Sequence, residues 1–396
     1  MALDVKVGQF TKNTSNGTQA ITGVGFTPKI ILFTITSRTV NDSYGGATAN
    51  GGFGAGTTTS QVAVVGQFAA GSQLVTTSAA KATVSTTETI VITSFDADGF
   101  TVTISNVLAA AVLINYIALG GSDLTNAAVL TASLPTATGN QTITGAGFQP
   151  DSVIFLGKMA PSSSNTVSSV AVGFIKSTTE RVAAAVYGSA GTFGKYVNAA
   201  KSAVGLINTG SVVKYYEGDL VSYDSDGLTI NWSTVVGSQT GTYAVICLKG
   251  IQAKAGKITQ PAATGNQAIT GVGFLPKAVI FAHSGATTDN TVENYAALGI
   301  GFTDGTNNNA MMSGSDTGSS VVISTGGCIR RSYGSTTPTV TANASASSLD
   351  SDGFTLNWTT TDATARIYNY FAFGSSSPPP TPTPTPPNSG AFFSFF

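Results

Sequence analysis

The stretch NGTQAITGVGFTPKIILF at 16–33 decides how this chain is read, because it returns twice. It reappears as TGNQTITGAGFQPDSVIF at 138–155 and as TGNQAITGVGFLPKAVIF at 264–281. The equivalent phenylalanines are Phe26, Phe148 and Phe274. Spacings of well over a hundred residues mark duplicated domains rather than solenoid units. Within the stretch, Gly23 and Gly25 and their counterparts supply backbone conformations that other residues avoid, as a bulge or tight turn requires. Phe26 is expected to plug a core, and Pro28 to hold the chain extended before a buried strand over Ile30–Phe33. A Gly-x-Gly phosphate loop is the sharper reading, but no helical pattern follows it, and a dinucleotide fingerprint needs a helix N-terminus there.

A second shared stretch reads SFDADGFTVTIS at 94–105, SYDSDGLTINWS at 222–233 and SLDSDGFTLNWT at 348–359. Each is an Asp-x-Asp-Gly turn entering an alternating strand, with the Asp side chains expected to bond their own backbone and Gly to supply positive φ. Calcium is the alternative, but the remaining ligands of an EF-hand loop are missing. A third stretch closes each copy: Tyr116–Gly120, then Val245–Leu248 with Gly250, then Tyr370–Gly374. Between them lie segments around Phe53, Phe174 and Phe302, rich in Gly, Ser, Thr and Asn and unequal in length, which read as surface loops. The apolar run Val107 to Leu119 is too short for a membrane helix and reads as strand-turn-strand.

Abundant Thr, Val and Gly, with no 3.6-residue amphipathic period, make the fold all-β. The expectation is three tandem jelly-roll-like β-sandwich domains over 1–124, 125–251 and 252–374. A Pro/Thr-rich linker follows over 375–390, and an aromatic tail over 391–396.

Only 9% of the 396 residues are charged and the net charge is −1. That leaves no basic field for nucleic acid or an anionic membrane, and neither is expected as a partner. A chain this neutral tends to associate. A homo-oligomer is expected, a trimer by preference, although three copies in one chain would also mimic a trimer within a single subunit. The N-terminal MALDVKVGQF lacks the apolar core of a signal peptide, so synthesis in a host cytoplasm is expected.

Candidate chemistry is sparse. His283 is the single histidine, without the partners of a metal site or of Ser-His-Asp catalysis. Cys247 and Cys328 read as small buried hydrophobes. The repeated acids sit two apart on turns rather than flanking a cleft as glycosidase pairs do. Trp232 and Trp358 read as half-buried sheet residues before sugar platforms. No enzyme, cofactor or metal is expected. The tail ends on Phe392, Phe393, Phe395 and Phe396 after a semi-rigid polyproline-type spacer. Burying each ring is worth roughly 1.5–3 kcal/mol, so the tail reads as an anchor into a neighbouring subunit.

With these three stretches, each copy resembles domains common in uncharacterised tailed-phage proteins taken as virion structural or fibre components. The resemblance covers most of 5–374 three times over. It implies a virion location, as a capsid decoration, head-fibre or tail-associated component whose partners are other virion proteins, the major capsid protein among them. The alternative is an exported bacterial surface or carbohydrate-binding protein.

Overall fold

The computed structural model describes residues 2–45, 50–67, 72–81, 87–158, 167–189, 192–208, 210–236, 241–315, 320–333 and 339–376. Among these every regular element is a β-strand, and none is a helix long and apolar enough to cross a membrane.

The first segment of chain contributes β1 (Leu3–Thr11), β2 (Gly17–Thr22), β3 (Pro28–Thr36), β4 (Asn50–Gly56), β5 (Gln61–Gln67), β6 (Ser72–Thr76), β7 (Thr89–Asp96), β8 (Gly99–Ser105) and β9 (Leu113–Gly121). The second contributes β10 (Asn126–Ser133), β11 (Gly139–Thr144), β12 (Ser152–Lys158), β13 (Val167–Ile175), β14 (Arg181–Ser189), β15 (Thr192–Asn198), β16 (Ala203–Asn208), β17 (Val212–Asp224), β18 (Gly227–Val235) and β19 (Thr242–Lys249). The third contributes β20 (Gln252–Thr259), β21 (Gly265–Thr270), β22 (Pro276–His283), β23 (Glu293–Asn294), β24 (Ala296–Thr303), β25 (Asn308–Ser315), β26 (Ser320–Ser324), β27 (Ile329–Tyr333), β28 (Thr339–Asp350), β29 (Gly353–Thr360) and β30 (Ile367–Gly374).

Each segment folds into a large and a small antiparallel sheet. The large sheets run β1-β9-β3-β4-β5-β6, β10-β19-β12-β13-β14-β15-β23 and β20-β30-β22-β24-β25-β26. The small ones run β2-β8-β7, β11-β18-β17-β16 and β21-β29-β28-β27. One strand crosses between segments: β23 of the third pairs with β15 of the second.

Burial follows from this layering. The small sheets alternate, as β8 does with Phe100, Val102 and Ile104 inward, because one face meets water. The large sheets bury both faces, so β12 reads SVIFLGK with every position buried. One face of each large sheet packs on its own small sheet, giving three cores built around Phe33 and Phe100, around Phe155 and Trp232, and around Phe281 and Trp358. The other faces meet in a fourth core drawn from all three segments. It holds Leu32, Phe53 and Ile117 of the first, Ile154, Phe174 and Ile246 of the second, and Ile280, Phe302 and Phe371 of the third. Phe53 and Phe302 lie 6.2 Å apart, and Phe174 stacks on Phe371 at 5.3 Å.

That centre corrects one expectation. The segments around Phe53, Phe174 and Phe302 are not surface loops; they are β4, β13 and β24, and the three rings are at most 1% exposed. Their glycines mislead because they serve close approach rather than looseness. A Cβ on Gly54, Gly173 or Gly301 would lie about 2 Å from the carbonyl oxygen of Ala79, Ser202 or Cys328 (2.1, 2.0 and 1.9 Å). A second correction concerns Val107 to Leu119: residues 107–112 form a loop, and only β9 from Leu113 onward is strand.

The segments contact one another head to tail in a closed cycle. The β4–β5 turn of the first reaches β10 of the second, where Ser60 Oγ accepts from Val129 N–H at 3.3 Å. The β13–β14 turn of the second reaches β20 of the third, where Glu180 takes Lys254 Nζ at 2.8 Å. The β24–β25 turn of the third returns to β1 of the first, where Asp304 Oδ2 accepts from Val7 N–H at 2.9 Å. Loops reinforce two of the three junctions across the sheet edges. Gly45 of the first segment bridges Val321 on β26, and β23 lies on β15. The molecule is thus a pseudo-threefold ring within one chain.

Candidate functional site

The two repeated motifs turn out to be one device. Gly23 and Gly25 stand at φ +81° and +89°, which aims their N–H groups at the same point and forms an anion nest. Asp98 fills it, accepting Gly23 N–H at 3.0 Å and Gly25 N–H at 2.7 Å. Asp226 does the same for Gly145 and Gly147 (3.0 and 2.6 Å), and Asp352 for Gly271 and Gly273 (3.0 and 2.7 Å). The second Asp of each turn therefore clasps the other motif instead of its own backbone, correcting the sequence reading. These N–H bonds hold the Asp98 and Asp352 carboxyls below the usual range. The first Asp is also engaged: Asp96 accepts Ser94 Oγ and Thr101 Oγ1, and Asp224 accepts Ser222 Oγ and Thr229 Oγ1. Chemically the nest is an anion site occupied by the chain's own carboxylate.

The candidate catalytic residues are packed away. His283 is 2% exposed, its Nε2 3.1 Å from Arg330 O and its ring edge-on to Tyr368. Burial, aided by the Arg331 and Arg366 charges, pushes its pKa down to about 3, so it is neutral at pH 7. Cys247 and Cys328 are free thiols, both buried and both pushed up to about 12 by burial, far from the thiolate a nucleophile requires. Trp232 and Trp358 are completely buried rather than half-buried. Alternation correctly puts them on the inner face, but the large sheet covers that face entirely. Their indole N–H groups donate to Gln141 and Gln267 at 2.8 and 2.9 Å.

The sequence-predicted anchor residues Phe392, Phe393, Phe395 and Phe396 lie outside the described residues. The place from which they are reached is described. Ser375 Oγ accepts from Leu3 N–H at 3.0 Å, and Ser376 N–H donates to Asp123 Oδ2 at 3.0 Å. The tail therefore leaves beside β1 and beside the connector from β9 to β10. The other connector passes close to its own repeat motif, Gly250 N–H donating to Asp151 Oδ2 at 2.7 Å. Gly120 and Gly374 leave no room for a Cβ against the Phe26 and Phe274 rings (2.8 and 2.4 Å). Connectors, tail exit and Gly-x-Gly-Phe loops are thus gathered at one end of the ring.

Two grooves open there between neighbouring segments. One, of about 500 Å³, is lined by Ile251, Val272, Phe274, Lys254 and Glu180, with Ser376 at its edge. The other, of about 400 Å³, is lined by Leu3, Val5, Phe26, Lys277 and Asp304. The clasping residues Ser60, Glu180 and Asp304 were not legible beforehand. Each lies in a polar hairpin turn of ordinary composition, and only the ring gives it a partner. Comparison with protein-family models, with curated proteins and with solved structures finds no match.

Proposed function

We propose that this chain is a non-enzymatic structural component of a virus particle, attached through its C-terminal tail. A capsid decoration, head-fibre or tail-associated protein fits. The observation that carries the reading is the gathering of connectors and tail exit at one end of a closed ring. Ser375 and Ser376 are hydrogen-bonded there, so everything beyond them starts from a fixed point of the body. The candidate reactive groups, meanwhile, are spent on structure: His283 and both thiols are buried, and the repeated acids satisfy backbone N–H and hydroxyl groups. In this reading each segment is a jelly-roll-like sandwich, since its first strand pairs with its last and its second with its second-last. The partners are other virion proteins, the major capsid protein among them. Both tryptophans are buried, which removes the platforms on which a carbohydrate-binding reading rested.

The test is deletion of 391–396. The truncated chain is expected to keep its melting temperature, because the described cores close by Gly374, while its occupancy in purified particles, counted by mass spectrometry, falls at least tenfold. Normal occupancy of the truncated chain, or its failure to fold, refutes the anchor. Absence of the full-length chain from particles refutes the function.

A further inference from the structure

We infer that the end of the ring carrying the connectors and the tail exit is a docking surface for a partner with threefold rotational symmetry. Three copies of one polypeptide would surround an axis, with one copy of this chain seated on it. The inference rests on the particle reading and adds to it the symmetry and stoichiometry of the attachment.

Three observations lead there. First, the contacts between segments close a cycle: Ser60 to Val129, Glu180 to Lys254, Asp304 to Val7. A heterologous interface that closes after three steps generates a threefold arrangement, here inside one chain. Second, the same exposed rim occurs three times at this end. Thr22-Gly23-x-Gly25, Thr144-Gly145-x-Gly147 and Thr270-Gly271-x-Gly273 are identical at their exposed positions. The nests account for the glycines. They place no demand on the threonines, whose side chains face water. The next exposed position already differs, as Thr27, Gln149 and Leu275. Third, the likeness of the segments is weaker elsewhere: the first small sheet has three strands where the others have four, and the second large sheet alone carries an added strand.

A partner lacking symmetry would touch one rim and leave the others without a contact in common. A partner made of three like chains meets the same rim three times. Each rim presents hydroxyls and backbone around one exposed carboxylate, that of Asp98, Asp226 or Asp352, seated in its nest, so the complementary surface offers hydrogen-bond donors in a threefold set. The tail starts at the same end and occurs once per chain, so it reaches only one of the three partner chains.

The test uses intact particles carrying the full-length chain, reconstructed by electron cryomicroscopy without imposed symmetry at the attachment point, with copy number from quantitative mass spectrometry. The expected result is one copy of this chain for each threefold set of partner chains, seated on the axis with its rims inward. Thr22→Arg, Thr144→Arg and Thr270→Arg are each expected to lower occupancy several-fold and to similar extents. The triple variant should lower it at least tenfold while melting like the wild type. Attachment away from a threefold axis, or normal occupancy of the folded triple variant, overturns the inference and leaves the particle reading standing. Absence of the chain from particles overturns both.

Discussion

Replacing Phe53 by Ala is the most informative perturbation of this fold, because its effect should be felt in segments that do not contain it. Phe53 is 1% exposed in the core shared by all three large sheets, 6.2 Å from Phe302 of the third segment. Truncating a buried Phe costs about 3–5 kcal/mol. If the shared core makes the ring one cooperative unit, unfolding entropy scales with roughly 370 residues, about 0.8 kcal/mol per kelvin, and 4 kcal/mol lowers Tm by about 5 °C. If the segments melt independently, one unit of roughly 125 residues drops by about 15 °C and the others stay. The chain supplies its own reporters: its two tryptophans, Trp232 and Trp358, lie in the second and third segments. Fluorescence melts of Trp232→Phe and Trp358→Phe backgrounds, with and without Phe53→Ala, read each segment separately. A joint downward shift is expected. If both tryptophan transitions stay put while circular dichroism shows a separate early loss, the ring is not a cooperative unit and the argument from the fourth core fails.

Three other outcomes follow from the same packing. His283 is held neutral, its pKa depressed from the ordinary 6.5 to about 3; the unfolded chain therefore binds a proton that the folded chain refuses. Its contribution is complete above pH 6.5 and is lost as pH falls from there towards 3, at up to about 1.4 kcal/mol per unit, so denaturant midpoints at pH 7.5 and 5.5 should converge in His283→Gln. Lys12 and Glu88 form an ion pair at 2.9 Å with both side chains wholly buried. Lys12→Met alone should cost about 3–5 kcal/mol in denaturant melts, and adding Glu88→Leu should recover most of it, since the penalty is the stranded carboxylate; an additive double variant would contradict this. Gly301→Ala places a Cβ 1.9 Å from Cys328 O, backbone that cannot swing aside; a loss of about 3 kcal/mol or more is expected, against near-neutrality for Ala at exposed, extended positions.

What the sequence disclosed was set by which interactions are local. The repeats, the all-β character, the Gly-x-Gly turns and the burial of Ile30–Phe33 could all be read, because each is written in neighbouring residues: alternation, positive-φ glycines, a proline before an apolar run. The Asp-x-Asp-Gly turn was located correctly but given the wrong partner. The carboxylate of Asp98 crosses from one motif to the N–H groups of Gly23 and Gly25, 75 and 73 residues away, and nothing in either stretch says that the two belong together. Their joint recurrence in all three copies was the available signal, since two motifs that always repeat as a pair are candidates for contact.

The centre of the ring was misread for a more general reason. A strand buried on both faces normally announces itself by an unbroken run of large apolar residues, as β12 does. In β4, NGGFGAG, the burial is equally complete, yet glycine replaces bulk because the backbone carbonyls of Ala79 and Lys81 lie against one face and Val62 O is close by. Composition alone makes such a strand indistinguishable from a loop. The distinction lies in Phe53, Phe174 and Phe302: one large ring at the same place in each copy, flanked by small residues. Exposed on three loops, these rings would carry an apolar cost three times over; buried, they need one another. An aromatic that recurs inside glycine-rich surroundings in every copy therefore points to the surface where the copies meet, and at Phe53 and Phe302 that is where it lies.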